Sequence, residues 1–291
     1  MRIVSAAGPS RFHIKSYAGR QFRYPDIRAG RCRIRSSSTL RRTAPDATGG
    51  PMTFNPKNEI LAEIEPAVAL RFAAHLERVE LGRGEVLQET GAEVHWVWFP
   101  DDALICIASE SVEGESISGG MVGRNGAFGA FEACGSRLSY SRALVQIGGT
   151  AWRIRDSHYR QMFEQSANLR VAIHKHVEAL LVEARQLVAC TAIHRVESRM
   201  CRVLLDASAR SHRGSHLTLT QEELANILGV QRSTIAVTSS ALQRAGLIRS
   251  RRGSIDIVDF DRLEAAACSC RRTIAFAHRE IDRASDDVCE G

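Results

Sequence analysis

The sequence predicts an α+β chain: an antiparallel, jelly-roll-like β-roll, then a long helix, then a C-terminal unit of two short helices closed by a β-hairpin. Three observations predict it. Short apolar runs punctuated by Gly, Pro and Asp recur between residues 80 and 154, the rhythm of an antiparallel roll. Apolar residues then repeat at alternating four- and three-residue steps from Ile173 to Thr191, which is helical. Finally, Leu219 to Val258 reads LTQEELANILGVQRSTIAVTSSALQRAGLIRSRRGSIDIV, two amphipathic helical patterns and an alternating strand pattern, each set off by glycine.

In order along the chain, residues 1–51 hold eleven basic residues against Asp26 and Asp46, a net +9, whereas the other 240 residues hold 28 basic and 31 acidic groups, a net −3. This segment is rich in Arg, Ser and Gly, lacks a helical or strand period, and is predicted to be disordered because it cannot bury enough apolar surface to offset ordering entropy. Two readings stand for it: a basic arm adding nonspecific phosphate attraction, or a segment ahead of a true start at Met52, which is preferred. Its acid-poor composition is also that of a transit peptide. The rest of the chain is slightly acidic, so any affinity for nucleic acid must come from local arginine placement. Arg occurs 36 times and Lys three times, a bias that GC-rich coding produces, so arginine abundance by itself says little.

Ile60, Ile64, Val68, Phe72 and Leu76 recur at helical spacing, predicting one or two helices over 58–76 with a break near Pro66. Strands are expected at Glu80-Leu81, Glu85 to Leu87, Val94 to Phe99, Leu104 to Ala108, Ser116 to Val122 and Ala143 to Ile154. Residues 158–193 read as helix; their stripe, Ile173, Val177, Leu180, Ala184, Leu187 and Thr191, has the spacing of a coiled-coil seam or of an intramolecular core. His194 to Glu197 would be a hinge, after which Met200, Val203, Leu204 and Ala207 mark a further helix.

Thr220 with Glu223 three positions on forms a capping box, and Leu224, Ile227 and Leu228 give the first short helix its apolar face. Gly229 closes it, since a helix ends so sharply only at a residue tolerant of positive φ. A second helix starts at Arg232, with Ile235, Leu242 and Ala245 on one face, and stops at Gly246. Leu247-Ile248, the turn Arg252-Gly253-Ser254 and the alternating Ile255-Asp256-Ile257 complete a hairpin. Helix, turn, helix and hairpin make a winged helix-turn-helix, whose second helix would enter a DNA major groove. An αα-hairpin capping another core would have the same periodicity.

The string TQEELANILGV-R-ST-----L-R-GLI, preceded by VESRMCRVLLDAS, resembles the C-terminal domain of the Crp/Fnr family of bacterial transcription regulators over roughly residues 195–265. The resemblance implies a cyclic-nucleotide-binding-like roll as sensor, a dimerisation helix carrying the 173–191 stripe, and a homodimer reading an inverted repeat in double-stranded DNA, with RNA polymerase as a further partner. It argues against the transit-peptide reading. It places Arg232, Ser233 and Val237 at base-facing positions. Arg232 would donate two hydrogen bonds to guanine, and Val237 would meet a thymine methyl or pack against the wing. The family often carries Glu at the Ser233 position and Arg at the Val237 position, so a different operator is expected. Thr220, Gln231 and Thr234 are placed to bond phosphates, with Arg251 and Arg252 reaching the flanking backbone from the wing.

In nucleotide-binding relatives the cassette corresponding to VGRNGAFGAFEACGSRLSYSRAL carries a Glu for the ribose and an Arg-Ser pair for the phosphate. Here Gly123 precedes Arg124 and Asn125 at the Glu position, and the pair reads Ser141-Arg142. A one-residue displacement in a strand turns the side chain to the other face, so cyclic AMP is not expected to bind. Gly123, Gly126, Gly129 and Gly135 are read as turn formers. Iron–sulfur members place several cysteines near the N-terminus, where this chain has only Cys32, so no cluster is expected. Cys106 and Cys134 read as small buried hydrophobes, and His174 and His176, two apart on a helix, face different directions. Cys268-Ser-Cys270 with Cys289 is the best remaining thiol group, and a redox or zinc role for it is set aside.

The expected division is 1–51 basic extension, 52–157 roll, 158–194 dimerisation helix, 195–267 winged helix-turn-helix, and 268–291 tail. No nucleophile elbow, phosphate loop or metal-protease motif occurs, so an enzyme is not expected. No apolar run approaches the 18 or more residues of a membrane span. The eight cysteines lack disulfide-framework spacing and read as reduced cytoplasmic thiols. The alternative function is a nucleotide- or small-molecule-sensing module whose helix-turn-helix serves protein interaction.

Overall fold

The computed structural model describes residues 54–110, 116–211 and 214–289; the basic segment 1–51 lies outside them. Asn58 caps the first helix. Its side chain accepts from Leu61 N at 3.2 Å, capping α1 (Glu59–Ala62), and donates to Pro100 O and Gly126 O, both at 2.9 Å. A fully buried amide used at both ends costs little. Pro66 opens α2 (Pro66–Phe72) at a position where its missing N–H matters least.

Among the described residues, seven strands form the roll: β1 (Glu77–Leu81), β2 (Val86–Gln88), β3 (Trp96–Pro100), β4 (Leu104–Glu110), β5 (Ser116–Val122), β6 (Arg142–Ile147) and β7 (Gly149–Arg155), with the short α3 (Ala130–Cys134) between β5 and β6. They make two antiparallel sheets, ordered β1-β7-β3 and β2-β6-β4-β5. The expected strand from Ala143 to Ile154 is therefore two strands in different sheets. They part at Gly148, where an added Cβ would lie 3.0 Å from Leu81 O and 3.2 Å from Arg83 N. Val79, Trp98, Ile105, Val122, Ala143 and Val145 fill the space between the sheets.

The expected single helix over 158–193 is also two, α4 (Asp156–Gln165) and α5 (Ala167–Ile193). Ser166 is extended (φ −108°, ψ 115°) and its hydroxyl accepts from Leu169 N at 2.9 Å. Glu65 holds the break, accepting from Ser166 Oγ and, at 3.1 Å, from Asn168 N. His194, the C-cap of α5, and Arg195 then lead into α6 (Val196–Ser211).

After α6 come β8 (His216–Leu217), α7 (Gln221–Leu228), α8 (Arg232–Arg244), β9 (Ile248–Arg251), β10 (Ser254–Ile257) and α9 (Phe260–Ala266). The hairpin gains β8 as a third strand, in the order β8-β10-β9. Met200, Leu204, Leu217, Leu224, Leu228, Ile235, Leu242, Ile255 and Leu263 form one core, which Leu104, Met121 and Ile147 of the roll join. Roll and helix-turn-helix thus share apolar packing. The stretch read as a tail holds α10 (Cys270–Cys289), which packs along α5.

Candidate nucleic-acid interface

The turn between α7 and α8 is set by local chemistry. Thr220 Oγ1 accepts from Glu223 N at 3.2 Å and Glu223 Oε2 accepts from Thr220 N at 2.6 Å, so both arms of the capping box are made. Thr220 Oγ1 also donates to Glu223 Oε2 at 2.8 Å, leaving that hydroxyl committed to the cap. Gly229 takes φ +62°, ending α7 in the left-handed region that glycine tolerates. Ile235 and Leu242 anchor α8 from beneath; Ala245, expected on the same face, lies exposed at its C-cap.

Gln231, Arg232, Ser233, Thr234 and Val237 are all exposed at the start of α8. Val237 is 71% exposed, which removes the reading that packs it against the wing. The free amides at a helix N-terminus favour an anion there. At the wing, Gly253 (φ +83°) makes the tight turn, with Arg251 and Arg252 exposed beside it. Arg251 Nε lies 3.8 Å from Asp256 Oδ2. Arg232, Ser233, Thr234 and the wing arginines are thus all open to solvent.

Two groups behind this face escaped the sequence reading. Arg199 of α6 is buried, donating from Nη2 to Leu228 O at 2.6 Å and to Thr191 Oγ1 at 3.3 Å. It satisfies the last carbonyl of α7 and ties the end of α5 to the turn. Arg83, in the β1–β2 turn of the roll, pairs with Glu223 (Nη2–Oε2 2.5 Å) and donates to Gly253 O at 3.4 Å. Neither contact has a local sequence signal, because its partners are far apart in the chain.

The cassette residues scatter. Arg124 pairs with Glu59 at 3.0 Å and Asn125 lines a cavity between the roll and α5. Ser141 is held by Ser139, whose hydroxyl donates to Ser141 O at 2.7 Å. Arg142 reaches Glu89 at 3.1 Å and Glu110 at 3.4 Å, on the face of β6 opposite the buried Ala143 and Val145. Gly123 abuts α6, where an added Cβ would lie 2.5 Å from Arg210 O; Gly129 has φ +81°. A cavity of about 120 Å³ between the roll and α5 is lined by Ile107, Phe128, Phe131, Ile173, His176 and Leu180 among others. Among its described lining residues there is no arginine. Burial holds the His176 ring down to about 4, its Nε2 lying 3.2 Å from Ala127 N, so it is neutral at pH 7.

The predicted seam divides. Ile173 is in the intramolecular core and Val177 packs against it; Leu180 and Leu187 line internal cavities. Only Ala184 and Thr191 of that set are exposed, and they alternate with Leu181, 49% exposed, and Val188, 74% exposed. The open stripe on α5 is therefore Leu181, Ala184, Val188 and Thr191, one residue round from the expected one at two positions. Cys134, expected to be buried, is exposed, whereas Cys106 is buried. Among the described residues one group has metal-ligand geometry: Cys190, His194, Cys268 and Cys270.

No curated protein matches the chain. Residues 198–266 match the family described as the Crp-like helix-turn-helix domain. Solved structures match over most of their length. The global regulator CLP of Xanthomonas campestris, described as c-di-GMP responsive, is 18% identical with a TM-score of 0.54, covering 67% of this chain and 100% of that one. TTHA1359, a CRP/FNR-family transcriptional regulator of Thermus thermophilus, is 23% identical (TM-score 0.55, 66% and 98%). FixK2 of Bradyrhizobium japonicum is 12% identical (TM-score 0.57, 66% and 98%). The chain therefore carries a Crp-like helix-turn-helix domain at residues 198–266 within a fold of the CRP/FNR regulator type.

Proposed function

We propose that this protein is a sequence-specific transcription regulator that binds an inverted-repeat operator as a homodimer, α5 joining the copies and α8 lying in the major groove. The observation that carries the reading is the exposed N-terminal face of α8, Arg232, Ser233 and Val237, on a helix fixed from beneath by Ile235 and Leu242. Arg232 reads guanine; Gln231, Thr234 and the wing arginines hold phosphates. Thr220 contributes through the cap of α7 and its backbone, its hydroxyl being taken by Glu223. The roll senses a signal through its apolar cavity rather than through a phosphate clamp, since Arg142 is turned away to Glu89 and Glu110.

Arg232→Ala is expected to weaken operator binding by roughly 1–3 kcal/mol and to relax preference at a single base pair in each half-site. Competition gel shifts against operators altered at each position check this. Equal loss on every sequence would make Arg232 a phosphate contact only. Arg252→Ala is expected to weaken binding to all duplexes alike and to lower the slope of log affinity against log salt by about 1. A slope identical to that of the parent chain would remove the wing from the interface. Protein capture without any duplex binding would instead favour the protein-interaction alternative.

A further inference from the structure

Cys190 and His194 stand four residues apart in the last turn and C-cap of α5, a spacing that brings two side chains to one face. Cys268 comes from the link between α9 and α10, where Ala267 is extended (φ −68°, ψ 151°), and Cys270 opens α10. The Cys268 N–H donates to Ser198 O at 3.2 Å, fixing that link against α6. All four ligand atoms lie within 4.8 Å of one another. The three thiols are almost wholly buried, at 1%, 5% and 1% exposure, and pack on one another.

The separations suit a metal better than a disulfide. Cys190 Sγ lies 3.6 Å from Cys268 Sγ, and His194 Nδ1 lies 3.4 Å from Cys270 Sγ. A zinc tetrahedron with metal–sulfur bonds of about 2.3 Å has sulfur–sulfur edges of about 3.8 Å. A disulfide would require the two sulfurs to close to about 2.05 Å. Thiolate and imidazole donors are those of zinc rather than of magnesium or calcium, and three sulfurs with one nitrogen make a closed structural site. Gln186 Nε2 lies 3.1 Å from Cys270 Sγ, placed to donate to a thiolate. Three thiolates around a dication leave one negative charge, and Arg202 lies within electrostatic reach of Cys190 and Cys268.

We infer that Cys190, His194, Cys268 and Cys270 bind a zinc ion that clamps the end of α5 to the start of α10 and the link before it. The clamp sits at the junction where α5 turns into α6. It fixes the long helix relative to the helix-turn-helix from two directions, through the α5 C-terminus and through the segment leaving α9. Zinc occupancy would accordingly alter the angle at which α8 is presented. The metal site itself requires no DNA and stands apart from the proposed function.

The full-length chain, purified in reductant and dialysed against zinc, is expected to retain one zinc per chain by elemental analysis. Replacement by cobalt is expected to give the intense visible absorption of a tetrahedral ion with sulfur-to-metal charge-transfer bands. Cys268→Ser combined with Cys270→Ser should lose both signals, and Cys106→Ser, in the roll, should keep both. Gln186→Leu is expected to weaken zinc about 10–100-fold in chelator competition. The cobalt spectrum of the parent chain reports the ligand set even if a cysteine variant fails to fold. Absence of retained metal, an iron–sulfur chromophore, an octahedral cobalt spectrum, or zinc undiminished in the double variant would overturn the assignment.

Discussion

Replacing Val188 by glutamate (Val188→Glu) is expected to separate the proposed dimer and to lower operator affinity by about 10²–10⁴-fold, the avidity lost when two linked half-site contacts become one. Val188 is 74% exposed in the single chain, so the substitution disturbs little within a subunit. It lies in the stripe Leu181, Ala184, Val188 and Thr191, whose steps of three, four and three keep these side chains on one face of α5, the face proposed to meet a second copy. A carboxylate desolvated against its own copy across a two-fold axis meets like charge as well as apolar surface. Sedimentation should show dimers for the parent chain and monomers for the variant, with unchanged circular dichroism. Leu187→Ala is the contrasting case: Leu187 faces an internal cavity with Met121, Val203 and Ile274, so it should lower subunit stability and leave the dimer contact itself intact. A variant at Val188 that remains dimeric would exclude this stripe as the joint.

Glu183→Gln is expected to destabilise the fold by about 3–5 kcal/mol at neutral pH, the cost of leaving a buried charge without its partner. Glu183 is 7% exposed on α5 and joins Arg210 of α6 (2.5 Å) and His278 of α10 (3.1 Å). Arg210 also donates to Met121 O in β5, so one cluster ties the long helix, the roll, the helix-turn-helix unit and the C-terminal helix. Burial pushes the Glu183 carboxyl up, but the charge of Arg210 and the hydrogen bonds from His278 and Arg210 outweigh it and hold it down to about 2. Between the ordinary value of 4.5 and about 2 the unfolded chain binds a proton that the folded chain does not. Stability from this group is thus complete above pH 4.5 and is lost as pH falls toward 2. Urea unfolding at stepped pH should show the gap between parent and variant narrowing across that range. A gap that stays constant would mean that Glu183 acts by packing rather than by charge.

Where the physics was local, the sequence was sufficient. The capping box at Thr220 and Glu223, the left-handed glycine at 229, the turn at Gly253 and the proline opening α2 each depend on residues within a few positions. The alternating strands of the roll were legible for the same reason, until Gly148 moved the chain from one sheet to the other because of a close approach to the β1–β2 turn. The break at Ser166 is stabilised by Glu65, about a hundred residues earlier, and no helical period registers such a partner. The seam was displaced at Leu180 and Leu187 because α5 carries two adjacent apolar stripes. Periodicity cannot tell which faces the home chain; α10 and β5 decide it. The same distance hid the thiol group: Cys190 and His194 stand at the end of one helix, and only the packing of the α9–α10 link and the start of α10 brings Cys268 and Cys270 to them.

Selection of binding sites from a random duplex pool, followed by hydroxyl-radical footprinting of the winner, tests the central claim most directly. The account predicts an inverted repeat whose two halves are protected on the same face of the duplex, centred about 34 Å apart, with protection lost together in Val188→Glu and base preference relaxed in Arg232→Ala. A pool that never converges on a sequence, or a single unpaired half-site bound equally well by the monomeric variant, would contradict it.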